Sequence, residues 1–413
     1  MQFPQPAEHP PLLSDIPRNV TRLSTGLRWA WRRKLLPTPL LDADALMHRA
    51  THAERLEDFG PGDWHAAFVR LVTALSSEAA LNPVGQVFAH GQLIKILRDR
   101  LRAHALWRQH PEMLDRPIVA PIVVLGSMRS GTTRIQRLLA CDPRFSYTRL
   151  FESISPVPER ARFDLRPSKV AGGVALLRRL NPELAAIHPT SAQMADEEFG
   201  LFNFAFNGAQ IEAQWHVPGF AEWWQGRNKA PVYAEFKRLL QTIAWSRGPD
   251  EARPWVLKAP QFMEELDALL AMFPDAKLLC LDRDPLELAA SAASLVWQQR
   301  RIQSDVSDRA AVGTEWLHKT VRRKTLAAQS RSRHPHVPQL DVDFAAVSAD
   351  WRSEMRRVYR FLDLPLTAQV EAAMQSYLDR STQHLGHRYA PADFGLSQQD
   401  VMHALPISRP VAA

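Results

Sequence analysis

The stretch IVVLGSMRSGTTRIQRLLA, residues 122–140, constrains this chain more than any other. Its apolar, β-branched start reads as a buried strand. Gly126 and Gly131 bracket a turn, and the residues from Thr132 onward read as a helix. A strand–turn–helix of this kind aims the amides of Gly131, Thr132 and Thr133 at an anion held at the positive end of the helix. The two Thr hydroxyls add donors and Arg129 adds a charge. A nucleotide-hydrolysing loop carries Lys where this chain has Thr132, and it needs an Asp to hold magnesium. Here the acidic candidate at a strand end, Asp282, is followed at once by Arg283. The loop therefore suits a 5′-phosphate or a phosphosulfate better than a magnesium triphosphate.

Four further segments alternate with helical ones in the same manner. Strands are expected at 121–126, 144–151, 254–260, 276–285 and 339–344, with a helix after the loop at 132–141. Short apolar strands joined by helices imply an α/β fold: a P-loop-like parallel sheet flanked by helices, with ligands at the carboxyl ends of the strands. Four parts are expected along the chain. Residues 1–41 form a basic Pro/Arg-rich, loosely packed extension, and 42–116 a helical region that opens on an Asp42 cap. Residues 117–397 form the catalytic domain, and 398–413 a tail. Within the catalytic domain a long helical insertion, 155–250, lies where a substrate lid belongs. Its Trp215, Trp223 and Trp224 read mostly as core.

Formal net charge is +7, which favours anionic ligands. The two cysteines, Cys141 and Cys280, sit in apolar company and read as free thiols. No apolar run approaches the roughly 20 residues that span a bilayer. The first residues lack the basic-then-apolar order of a secretory signal, and a cytoplasmic location is expected. The segment RLSTGLRWAWRRKLL, with Trp29 and Trp31, can touch a membrane surface or a partner. A flexible or packed arm is the plainer reading. His334 and His336 have no third ligand at metal spacing, so no metal is expected.

A second anion signal lies in LDRDPLELAASAASL. Asp284 can cap a helix that has Pro285 at its first position. Arg283 stands at the strand end, and Ser291 and Ser294 share a face of the helix. Such an Arg with Ser residues of the next helix can grip a second phosphate.

Taken with the loop, five ordered segments resemble the sulfotransferases that use 3′-phosphoadenosine-5′-phosphosulfate (PAPS), most closely the large bacterial-type group. That family carries PRSGTT, HPxxADE, LKSP, FPDA…HRDP…SxxS and HxYxLxxFGL. This chain has MRSGTT, HPTSAQMADEE (188–198), LKAP (257–260), FPDAKLLCLDRDPLELAASAAS (273–294) and GHRYAPADFGLS (386–397). The resemblance spans roughly residues 42–397.

It implies that Arg129, Ser130, Gly131, Thr132 and Thr133 bind the 5′-phosphosulfate. Arg283 and Ser291, with Ser294, bind the 3′-phosphate. Lys258 neutralises the sulfuryl group and its leaving phosphate. Arg388 folds over the nucleotide, or else belongs to a plain terminal tether. Glu152, expected at the end of the second strand, is the first candidate for the base that takes the acceptor's proton. His188 comes next, with Asp196 and Glu197 behind it.

The implied reaction transfers sulfuryl from PAPS to a hydroxyl or amine of a small-molecule or lipid acceptor. It releases adenosine 3′,5′-bisphosphate, with no metal and no nucleic-acid partner. Three departures stand out. Ser127–Met128 replaces Met-Pro, and Phe262 stands where a His is common. Asp282 replaces the His of HRDP and would repel a 3′-phosphate unless it turns away or pairs with Arg. A P-loop kinase or hydrolase with an unusual loop, and a non-catalytic nucleotide-binding relative, are the alternatives.

Overall fold

A computed structural model describes residues 16–159, 163–187, 189–248, 253–381 and 390–404. Five strands form one sheet: β1 (Ile122–Gly126), β2 (Ser146–Tyr147), β3 (Trp255–Leu257), β4 (Lys277–Asp282) and β5 (Gln339–Asp343). Their order across the sheet is β2-β3-β1-β4-β5, and every neighbouring pair is parallel. The period-two alternation of side chains in a strand explains why both faces are apolar. Val123, Leu125, Trp255, Leu257, Leu278 and Cys280 enter one core cluster. Ile122, Val124, Val256, Leu279, Leu281 and Val342 enter another on the opposite face.

Among the described residues four α-helices precede the sheet: α1 (Arg18–Arg32), α2 (Ala43–Glu54), α3 (Trp64–Ser77) and α4 (Pro83–Gln109). Asp42 caps α2 by accepting from Ala45 N at 2.9 Å, as its sequence position foretells. After β1 comes α5 (Thr132–Leu139), and after β2 come α6 (Leu150–Ile154), α7 (Arg166–Leu180), α8 (Pro182–Ile187), α9 (Phe199–Asn203), α10 (Ala209–Gln214), α11 (Pro218–Gln225) and α12 (Ala230–Arg247). The remaining helices are α13 (Leu266–Met272), α14 (Pro285–Gln303), α15 (Arg309–Arg333), α16 (Phe344–Ala349), α17 (Trp351–Phe361), α18 (Ala368–Ser381) and α19 (Gln398–Ala404). Asp284 caps α14 through Glu287 N at 2.9 Å, with Pro285 at the first position.

The insertion and the N-terminal helices share a core. Trp215, Trp224 and Phe220 of the insertion pack with Phe68, Leu71, Leu93 and Leu97 of α3 and α4. Cys141 and Cys280 are free thiols, and burial pushes the Cys280 thiol up to about 12.

Two expectations require correction. The stretch 18–32, expected to be loosely packed, is a helix whose Val20 is fully buried with Val84, Leu180, Leu184 and Ile302. Val20, Ser24, Leu27 and Trp31 recur at helical spacing, and the neighbouring Pro and Arg residues mask that stripe in the sequence. The second strand, expected over 144–151, stops after two residues, and α6 begins at Leu150. Glu152 accepts from Arg149 N at 2.9 Å and so closes the first turn of that helix.

Candidate active site

The turn after β1 is held by Ser130. Its hydroxyl donates to Ser127 O at 2.7 Å and its amide to the same oxygen at 3.1 Å. Gly131 sits at φ 91° and leads into α5, a left-handed conformation that glycine adopts without cost. A Cβ there would lie 2.3 Å from Phe344 Cδ2. At Gly126 a Cβ would lie 2.6 Å from Ser130 Oγ and 3.1 Å from Leu281 O, so the close approach of β1 to β4 also needs glycine. Arg129 holds φ 72°, a rare conformation for a residue with a Cβ. Its carbonyl accepts from Arg283 Nη1 at 3.0 Å. The turn is thus braced by the residue that follows β4, and α5 starts directly after it at Thr132.

Arg129, Arg283 and Ser291 come together although they are far apart in sequence. Arg129 Nε donates to Ser291 Oγ at 3.1 Å and Nη1 donates to Ile187 O at 3.2 Å. Arg283 lies over the Phe344 ring at 4.6 Å and pairs with Glu287 at 2.7 Å. Ser294 is buried on the same helix, one turn after Ser291. Asp282 is turned to the surface, where Lys324 Nζ binds it at 2.8 Å. Lys324 thus supplies the counter-charge of this carboxylate.

Lys258 follows β3 directly. Its side chain is buried, its Nζ donates to Thr133 Oγ1 at 3.0 Å, and it makes a close ion pair with Glu197. Its backbone amide donates to Glu198 Oε2 at 2.7 Å. Burial pushes the Glu198 carboxyl up to about 8 against the pull of the Lys258 amide and charge.

The segment carrying these carboxylates is fixed alongside β2. Asp196 N donates to Thr148 O at 3.0 Å, and Arg137 Nε donates to Ala195 O at 3.2 Å. Phe262, at a position where the resemblance implies His, is packed among Phe202 and Phe236.

A cavity of about 460 Å³ adjoins these groups; Thr133 and Glu197 line it, whereas Lys258 and Ser291 are not among its lining residues. One wall holds Met128, Arg129, Gly131, Thr132, Thr133, Arg283 and Phe344. The other is largely apolar, with Leu150, Ile154, Val174, Leu177, Leu184 and Phe199, joined by Leu295 and Val296 of α14. Asp196 and Glu197 lie between the two walls, and Gln210, Gln214 and Gln299 supply neutral hydrogen-bonding groups.

Glu152 does not join this group. Arg247 Nε binds its Oε1 at 2.9 Å and Arg247 Nη2 its Oε2 at 2.6 Å, and it is absent from the cavity lining. A carboxylate with both oxygens engaged away from the acceptor space is poorly placed to take a proton from it. His188 and Arg388, with His387 and Tyr389, lie outside the described residues. Phe344 went unread as a site residue, although it directly follows the weak strand QLDVD. The apolar wall from α7 and α8 went unread because nothing local marks it.

The sequence profile of the sulfotransferase family matches residues 121–368. The fold is similar to that of sulfotransferase STF1 from Mycobacterium tuberculosis H37Rv, at TM-score 0.78 and 27% identity. That match covers 89% of this chain and 99% of the other. It is also similar to sulfotransferase STF9 from Mycobacterium avium, at TM-score 0.76 and 23% identity, covering 88% and 95% of the two chains. No curated protein matches the sequence.

Proposed function

This chain belongs to the sulfotransferase family, and we propose that it moves a sulfuryl group from PAPS to the hydroxyl of a small-molecule or lipid acceptor. The observation that carries this reading is Lys258, whose ammonium joins Thr133 of the anion loop to Glu197 at the cavity.

The residues fit the donor. The turn amides and the hydroxyls of Thr132 and Thr133 take the 5′-phosphosulfate. Arg129, Arg283 and Ser291 take the 3′-phosphate. Gly131 and Gly126 occupy positions where a side chain would clash with Phe344 and with Ser130 and Thr132, so the turn keeps its shape at the start of α5, where an anion is favoured.

PAPS supplies an activated sulfur–oxygen bond. The acceptor oxygen forms a new bond to sulfur while the bond from sulfur to the 5′-phosphate oxygen breaks, and adenosine 3′,5′-bisphosphate leaves. Glu197, rather than Glu152, takes the acceptor's proton: it lines the cavity and adjoins the ammonium that meets the developing charge on the leaving phosphate. In this assignment, positioning and charge stabilisation by the chain's own groups supply the catalysis.

The test pairs binding with turnover. Adenosine 3′,5′-bisphosphate should raise the melting temperature, and ATP with magnesium should leave it unchanged. Labelled PAPS and an extract of cellular small molecules and lipids should then yield a labelled product. Protection by ATP and magnesium alone would reverse the assignment of donor.

A further inference from the structure

The outward face of α1 has a composition that the transfer reaction does not use. Val20, Ser24, Leu27 and Trp31 turn inward, whereas Arg18, Arg22, Trp29 and Arg33 recur at spacings of four, seven and four on the opposite side. Trp29 is 53% exposed, with Arg33 5.9 Å from its ring. The segment that follows exposes Leu35, Leu36 and Leu40, the last at 62%. From residue 18 to residue 41 there are Arg18, Arg22, Arg28, Arg32, Arg33 and Lys34, and no Asp or Glu. Only Arg28 of these has a carboxylate partner among the described contacts, Asp305 at 2.8 Å. No helix among the described residues is long and apolar enough to cross a membrane.

We propose that this face of α1, with the Leu35–Leu40 segment, is a docking surface for an anionic lipid bilayer. Charge complementarity selects the occupant. Five cations without a carboxylate partner among the described residues attract a negative surface, and Trp29 with the three leucines fits the boundary between headgroups and acyl chains. An acidic protein or nucleic acid would use the charges but leave the leucines in water.

Docking has a geometric consequence. Val20 packs with Leu180 and Leu184, and Asn19 Nδ2 donates to Arg179 O at 2.6 Å, so α1 rests on α7 and α8. Leu177 and Leu184 of those helices also form the apolar wall of the cavity. A membrane against α1 therefore lies next to the cavity's roof. The surface stands whether or not the cavity takes a sulfuryl acceptor.

The test uses the full chain and sedimentation with vesicles of phosphatidylcholine, alone or mixed with phosphatidylglycerol. Mixed vesicles should bind the protein, pure phosphatidylcholine should bind it weakly, and added salt should release it. The triple variant Arg18→Gln/Arg22→Gln/Arg33→Gln should lose roughly 100-fold in partition, from about fivefold per charge. Trp29→Ala should lower partition while melting temperature and bisphosphate affinity stay at the wild-type level. Quenching of tryptophan fluorescence by brominated lipid should fall in the same variant. Equal binding to both vesicle types, or an unaffected triple variant, would overturn the proposal. So would binding to heparin or RNA with none to mixed vesicles.

Discussion

Lys258 Nζ lies 3.0 Å from Thr133 Oγ1, so one buried ammonium joins the end of β3 to the first turn of the helix after β1. Thr132 occupies the loop position where a nucleotide-hydrolysing loop carries Lys. Beside Arg129 of the loop itself, a second positive charge reaches the loop from a different strand. Lys258→Ala should reduce kcat by about 100- to 1000-fold, the scale of losing one donor to developing charge. Bisphosphate affinity should change much less. Rapid-quench kinetics with labelled PAPS reads the first effect and calorimetry the second. A loss confined to KM would mean that Lys258 only binds ground-state substrate.

Two carboxylates are separated by their partners. Glu197→Gln should retain bisphosphate binding and lose turnover by at least about 100-fold. Glu152→Gln should leave kcat within a few-fold, because its carboxylate faces Arg247 and the start of α6. It should instead lower stability by about 3 kcal/mol, since a mostly buried guanidinium would lose its counter-charge. Urea unfolding and initial rates on both variants separate the roles. The reverse pattern would restore Glu152 as the base.

Arg283 reaches toward the Arg129 carbonyl and the Phe344 ring, and among the described residues the exposed Glu287 is its acidic partner. Arg283→Ala should weaken adenosine 3′,5′-bisphosphate by roughly 10- to 100-fold, the scale of a charged hydrogen bond. Adenosine 5′-phosphate should weaken by no more than about threefold. Calorimetric titrations with both nucleotides decide it, and equal losses would remove the 3′-phosphate role.

The turn after β1 and the start of α14 were legible in the sequence because their information is local. The turn, its glycines and the helix start are contiguous, and Asp284–Pro285 marks the second helix start by a cap that operates within three residues. The choice between Glu152 and Glu197 was not local. It depends on Arg247, 95 residues beyond Glu152, and on Lys258, 61 residues beyond Glu197. The segment RFSYTRLF has strand-like composition throughout, yet the Glu152 side chain accepts from the Arg149 amide and starts a helix. Helix α1 was hidden for a related reason. Its buried residues are only Val20, Ser24 and Ala30, with Leu27 and Trp31 partly buried, and a partner surface made by Leu180 and Leu184 packs on it.

Glu198 offers a test of the site's electrostatics that does not require an acceptor. Its carboxyl is fully buried and pushed up to about 8 from an ordinary 4.5, chiefly by burial. Between those values the folded chain holds a proton that the unfolded chain has released. Wild-type stability from this group is therefore greatest below about pH 4.5 and falls as pH rises toward 8. The slope approaches 1.4 kcal/mol per pH unit at most, and the whole change is on the order of a few kcal/mol. Glu198→Gln keeps an oxygen for the Lys258 amide and removes the titration. The variant should be close to wild type in acid and should become the more stable protein above neutrality. Urea unfolding across mildly acidic to mildly alkaline buffers measures the difference. Parallel stability curves for the two proteins would show that Glu198 is ionised in the folded state throughout, and that the Lys258 charge overcomes the cost of its burial.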